Sequence, residues 1–334
     1  MPVAREYRSI AEALDAIGGR LDRARAGWLF EQADWFALLH AHCMADRQPR
    51  IVRAIEGDAE AWLFLIEDGD GRLSAMANWY SFDWGPIFLG EPDAAAQARL
   101  LSVIAKSLMR GVAQIDLYPV EAPQPILSAF RRAGWFAVQR PMGGRYRIDL
   151  GDRDFAAYWE GRPGRLRETV RRKGRGAPFV LEVGTVLTDA LWRDYVDVHA
   201  RSWKDAEPCL DFLHALASRE SAAGTLRLGF ARKDGRAVAA QFWSVEKSVA
   251  LIHKLSHDAA FDRASPGTLL AHAMFAHVID RDGARVIDYG TGDNGYKAAW
   301  MDERRPLMRV DCFNPRAPSS WLPAARTAIS ALVG

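Results

Sequence analysis

Residues 61–82 read AWLFLIEDGDGRLSAMANWYSF, and residues 225–246 read TLRLGFARKDGRAVAAQFWSVE. Each is an apolar stretch, an Asp-Gly-Arg turn (Asp70-Gly71-Arg72; Asp234-Gly235-Arg236) and a second apolar stretch. Asp-Gly between two such runs is a hairpin signal. The elements after each string repeat as well. A helix-like segment (94–110; 268–282) leads to an aspartate-containing strand (114–118; 285–289), then to a short helical piece and a final strand. A repeat unit of more than about 100 residues is too long for a solenoid and implies two copies of one α/β domain.

Length and composition agree with two domains. The chain has 334 residues, 49% hydrophobic and 26% charged, within the ordinary range of a globular protein. A net charge of +2 gives no electrostatic case for binding DNA. The cysteines Cys43, Cys209 and Cys312 are odd in number and far apart, with no CxxC or Cys/His cluster, so neither a metal site nor a disulfide framework is expected. The N-terminus lacks the apolar core of a signal peptide, and no apolar run reaches membrane-spanning length. The expected location is the cytoplasm.

Periodicity places the first copy over residues 1–150. Its helices are expected at 9–17, 32–43, 94–110 and 124–133. Its strands are expected at 51–55, 61–67, 73–79, 87–89, 115–118 and 145–150. The second copy is expected over 151–315, followed by a terminal helix within 316–334. It opens with a basic run, 162–175, which reads as a solvated helix face or, alternatively, as an electropositive rim that receives phosphate groups of a donor or a sugar-nucleotide acceptor. A helix over 187–203 puts Leu191, Tyr195, Val198 and Trp203 on a core face. Strands come next at 226–232, 237–245 and 248–256, and a helix opens at Ser265.

Three motifs stand out in the second copy. They are His253-Lys254-Leu255 on a strand, Ser265-Pro266-Gly267-Thr268-Leu269-Leu270 opening a helix, and Ile287-Asp288-Tyr289-Gly290-Thr291-Gly292-Asp293 leading into Tyr296-Lys297 and Trp300. On these residues, and on element order, the chain resembles the BioF2-like (CelD-type) acetyltransferases of the GNAT superfamily and, more distantly, the FemABX aminoacyl transferases. The resemblance implies an α/β fold of tandem GNAT-like (acyl-CoA N-acyltransferase) domains with mixed central sheets, the first copy degenerate. It also implies acetyl-CoA or another acyl-CoA as donor and no metal.

Physical chemistry assigns roles within those motifs. Serine is a preferred N-cap and proline a preferred first helical residue, so the helix at 265–268 offers free amides and a positive dipole end to a pyrophosphate. Arg263, Ser265, Gly267 and Thr268 are the expected donor-binding residues. Arg263 and Gly267 keep part of the GNAT Arg/Gln-x-x-Gly-x-Gly/Ala pattern, whose second glycine is missing. Lys254 lies in an apolar strand, where an ammonium needs a carboxylate or a ligand phosphate, and Asp288 on the neighbouring strand is the expected partner; the pair either fixes register or, as part of the catalytic set, lines the gap where the acyl donor enters. His253 alternates with Lys254 and is expected to pack on the opposite face. Asp288 or Asp293, directly or through water, would take the amine proton. Backbone amides of strand 249–256 would stabilise the oxyanion. By resemblance, Tyr296 would protonate the departing thiolate. Gln241, Tyr289, Thr291 and Lys297 are the expected acceptor-binding residues.

The expected reaction moves an acyl group from a CoA thioester to a small-molecule amine or sugar-nucleotide acceptor by direct attack, with no covalent enzyme intermediate. Two other readings stay open. One is FemABX-type transfer from aminoacyl-tRNA, although no long heptad segment for its coiled-coil hairpin is present. The other is a non-catalytic GNAT-like scaffold in exopolysaccharide or cellulose biosynthesis. A Ser/His/Asp hydrolase has no support, since no Gly-x-Ser-x-Gly elbow occurs, and no P-loop is present.

Overall fold

The computed structural model describes residues 2–176, 179–293 and 295–333. Among these the strands are β1 (Val3–Tyr7), β2 (Pro49–Glu56), β3 (Ala59–Gly69), β4 (Arg72–Ala75), β5 (Ile87–Leu89), β6 (Gln114–Val120) and β7 (Phe136–Asp149). They continue with β8 (Val180–Gly184), β9 (Leu226–Lys233), β10 (Arg236–Glu246), β11 (Val249–His257), β12 (Val286–Thr291) and β13 (Glu303–Phe313). The chain divides into two compact units, Met1–Gly143 with Pro306–Gly334, and Gly144–Arg305.

Both units have one plan. The first runs β1, helices Ile10–Ile17 and Ala33–Cys43, the antiparallel strands β2, β3 and β4, helix Ala94–Leu108, β6 and helix Gln124–Arg132. The second runs β8, helices Asp189–Ala200 and Leu210–Ala222, β9, β10 and β11, helix Pro266–Ala276, β12 and helix Gly295–Trp300. The strand pairing within each unit is mixed and includes a parallel pair: β4 beside β6, and β11 beside β12. The α/β fold with two like units expected from the sequence is the architecture observed.

The two strings that suggested the repeat nevertheless occupy different hairpins. Asp70-Gly71 turns β3 into β4, and Asp234-Gly235 turns β9 into β10. All four residues have positive φ, from 51° to 79°, the signature of a two-residue turn that Asp-Gly accommodates at least cost. β4 goes on to make the parallel pair of its unit, but β10 does not. A further hairpin through Lys247 and Ser248 (φ 48° and 62°) leads to β11, which does. The repeat is real in topology, while the matching text is displaced by one hairpin.

The units do not break at 150/151 and 315/316. Arg145, Arg147, Ile148 and Asp149 pair with β12 of the second unit, and Met308–Phe313 pair antiparallel with β6 of the first. Strand hydrogen bonding decides membership, and it returns the end of the chain to the first unit.

Helix Gly295–Trp300 has six residues, too short to persist by itself. Trp300 anchors it. Its ring is fully buried and stacks on Phe275 at 4.9 Å, Phe275 stacks on Tyr158 at 5.2 Å, and the Tyr158 hydroxyl donates to Trp300 O at 2.9 Å. Each such ring contributes roughly 1.5–3 kcal/mol by burial. That anchorage holds Tyr296 and Lys297 in place. The basic helix Gly164–Gly174 buries no residue, as a solvated face requires. Arg162, just before it, is buried over the Tyr158 ring at 4.6 Å and ion-paired to Asp302.

Candidate active site

β11 and β12 begin as a parallel pair with register Val249↔Val286, Ala250↔Ile287 and Leu251↔Asp288. The ladder stops there. β11 continues to His257 along β10, and β12 continues to Thr291 along β7. Beyond the last pair lies a pocket of about 550 Å³. Its walls include Leu255, Ser256 and His257 from β11, Tyr289 from β12, and Ser265, Gly267 and Thr268 at the start of helix Pro266–Ala276. Tyr296, Lys297, Trp203, Lys204 and Asp262 complete the lining.

A segment that carries none of the three motifs, residues 199–207, runs along the far part of β11. Glu207 Oε2 is 2.8 Å from Lys254 Nζ, Lys204 Nζ donates to Leu255 O at 2.5 Å, and Ser256 Oγ lies 3.1 Å from His199 Nδ1. Three successive β11 residues are thus met by one short segment. His199 Nε2 lies 3.2 Å from Asp205 O, so this nitrogen carries hydrogen and Nδ1 of the neutral ring is left to accept from Ser256. Trp203, expected in the core, is 71% exposed at the pocket. The helix ends at Ala200, so the helical spacing that suggested a core face no longer applies to it.

Several expected partnerships are corrected. Lys254 pairs with Glu207 and not with Asp288, because the ladder ends three residues before Lys254. Asp288 is 1% exposed, and its carboxylate accepts from Arg145 Nε at 2.7 Å and from the Gly290 N–H at 2.8 Å. A carboxylate so engaged holds the loop start. Asp293 forms a two-pronged pair with Arg304 at 2.6 and 2.7 Å, which lowers its pKa below the usual carboxylate range, and it does not line the pocket. Gln241 is buried inside the sheet, donating to Gly267 O and accepting from Trp243 Nε1, so it positions the helix start without facing the pocket. Arg263 is exposed and outside the lining. Ser265 has φ 56° and its side chain does not cap the helix, because it closes the preceding turn Ala259–Ala264. His253 packs against Phe242 and hydrogen-bonds Ser244 at 2.8 Å, and burial pushes its pKa down to about 4.

Other expected residues do gather at the pocket: Ser265, Gly267, Thr268, Tyr289, Tyr296 and Lys297. A Cβ at Gly267 would stand 3.3 Å from His257 Nδ1, so the glycine permits the close approach of helix and strand. His257 is tied to Asp262 at 2.7 Å. The Tyr296 hydroxyl is buried without a well-formed hydrogen bond among the described residues. Burial pushes its pKa up to about 12, against the opposing influence of the nearby Thr268, Tyr289 and Trp300. It stays protonated at neutral pH. Lys297 Nζ donates to Tyr289 O at 3.0 Å and Thr291 O at 2.5 Å, which makes Thr291 a backbone contact outside the lining. Burial first, then repulsion between lysines, lowers Lys204 and Lys297 to about 8.

A helix start with close backbone approach, opened strand edges and the buried Tyr296 hydroxyl face one space. Among the described residues no group of three His, Cys, Asp or Glu could hold a metal ion, and no helix is long and apolar enough to cross a membrane.

Comparison with known proteins agrees with this fold class. Residues 164–298 match the family described as acetyltransferase (GNAT) domain. No curated protein matches the chain. Among solved structures, FemX superposes with a TM-score of 0.60 at 10% identity, covering 93% of this chain and 98% of its own. The C-terminal domain of a putative lysylphosphatidylglycerol synthetase from Agrobacterium fabrum gives a TM-score of 0.54 at 16% identity, with 96% and 97% covered. A tandem GNAT protein from the clavulanic acid biosynthesis pathway gives 0.50 at 14% identity, with 92% and 98% covered. At these identities the likeness is one of fold.

Proposed function

We propose that the protein is an N-acyltransferase of the BioF2-like type, acting in the cytoplasm, which moves an acyl group from a CoA thioester to an amine by direct attack. The observation that carries this reading is the parallel ladder that stops at Leu251 and Asp288, with the pocket and the start of helix Pro266–Ala276 beyond it. The bound thioester supplies the activated acyl group. Main-chain groups of β11 beyond Leu251 offer it donors. The helix start binds its phosphates. Tyr296, protonated and buried at the pocket, gives its proton to the departing sulfur. With Asp288 and Asp293 engaged elsewhere, Ser256 takes the amine proton as its own hydroxyl proton passes to His199 Nδ1. The Asp205 carbonyl holds the imidazole in the tautomer that accepts.

The test is thermal stability with acetyl-CoA and longer acyl-CoAs, then thiol release with a panel of amines. A rise in melting temperature with at least one thioester is expected. If none shifts it at saturating concentration the donor is wrong, and tRNA bound to the purified protein would move the assignment to aminoacyl transfer.

A further inference from the structure

The last turn of the basic helix Gly164–Gly174 lies against the beginning of helix Pro266–Ala276. Lys173 Nζ donates to Arg263 O, two residues before Ser265 of the pocket wall, and a Cβ at Gly174 would stand 3.9 Å from Leu269 Cδ2. On the acyltransferase reading, we propose that Arg172, Arg175 and Arg263 form a seat at the pocket rim for the 3′-phosphate of the coenzyme A donor.

The basic helix has two sides. Leu166, Val170 and Lys173, at i, i+4 and i+7, are half-buried, and Leu166 packs on the core of its unit. Arg165, Arg167, Arg171, Arg172 and Arg175 are exposed, as is Arg263. The carboxylate of the helix, Glu168, is bonded to Arg171 at 2.8 Å, and Asp262, beside Arg263, is bonded to His257 at 2.7 Å. Among the described residues Arg172, Arg175 and Arg263 are in no ion pair. A guanidinium keeps its charge at every working pH and presents a planar fork of donors that matches a phosphate. The Lys173 bond takes only the carbonyl of Arg263, so it ties the two segments together and leaves the Arg263 side chain to a ligand. Cations in a last helical turn also suit the negative end of the helix dipole, which accounts for Arg172 but not for Arg263, outside that helix. The orientation of the donor follows from the acyltransferase reading. With the thioester at the opening between β11 and β12 and the pyrophosphate at residues 265–268, the adenosine and its 3′-phosphate extend past the helix start, toward Arg263 and residues 172–175.

Titration calorimetry of the full chain with coenzyme A and with 3′-dephospho-coenzyme A tests the seat, since the two ligands differ in that one phosphate. The wild type should bind coenzyme A roughly tenfold or more tightly than the dephospho form. Added salt should narrow the ratio, because the seat is exposed. Neither measurement depends on any variant folding. In the Arg172→Gln/Arg175→Gln/Arg263→Gln triple variant the two ligands should bind alike, at about the wild-type affinity for the dephospho form. Arg165→Gln, near the other end of the same helix, should keep both the affinity and the ratio of the wild type. Equal binding of the two ligands by the wild type, or an undiminished ratio in the triple variant, would overturn the seat and leave the acyltransferase reading standing. If neither ligand binds, both the reading and the seat fail.

Discussion

Asp116 and Asp288 hold the same register position in their two units: each is the last residue of its parallel pair, opposite Ser74 in one and Leu251 in the other. Both are buried, and both are met by arginine. Arg309 Nη2 lies 2.9 Å and Arg72 Nη2 3.3 Å from Asp116, while Arg145 holds Asp288. An aspartate that ends the ladder in both units, and is held by arginine in each, is an architectural part of the plan.

Arg145→Met should therefore be among the most damaging single changes. It leaves the Asp288 carboxylate buried without its cation, which costs about 3–5 kcal/mol. Asp288→Asn added to that variant should recover part of the loss. Urea unfolding of the single and double variants checks this, and equal stability of the two would contradict it.

Tyr296→Phe removes only the hydroxyl. Acyl transfer, measured as thiol release, should fall about 100-fold. The affinity for acetyl-CoA, read by calorimetry, should stay within about twofold.

Ser256→Ala and His199→Gln should each lower the transfer rate by roughly 100-fold and leave donor affinity unchanged. A purely structural His199 would not respond to added imidazole. In His199→Ala we expect imidazole to restore part of the rate.

His253 is held neutral, its folded pKa about 4 against an ordinary 6.5. Between those values the unfolded chain binds more protons, so stability falls as pH drops from 6.5 toward 4. Melting temperature against pH should be flatter over that window in His253→Gln than in the wild type.

Lys204 and Lys297 have the same sense at alkaline pH. Their folded values near 8 lie below the ordinary 10.5, so each lowers stability in full below pH 8 and ceases to do so as pH rises to 10.5. Lys204→Met and Lys297→Met should be more stable than the wild type at pH 7. That advantage should close between pH 8 and 10.5, as read by melting temperature.

The fold was legible because Asp-Gly turns and strand alternation are local signals, which survived even though the two matching strings belong to successive hairpins. The helix start at 265–268 and the Tyr296-Lys297 pair were legible for the same reason: their residues are adjacent in sequence. The partners were not. Glu207, Lys204 and His199 sit in and before an irregular loop, some 50 residues from the strand they serve, and no periodicity marks them. Arg145 reads only as part of a closing strand, although register brings that strand beside β12. Trp203 lies past the helix end at Ala200, where helical spacing carries no information. Charged residues find partners through tertiary register, which a single sequence does not display.

The strand at Pro306–Phe313 has a consequence for biosynthesis. The first 143 residues emerge from the ribosome with β6 lacking the neighbour that only the final tenth of the chain supplies. At ordinary elongation rates that neighbour arrives on the order of ten to thirty seconds later. The N-terminal half cannot finish before the rest is made, and a nascent chain stalled before residue 306 leaves the ribosome with an open β edge able to recruit a stranger.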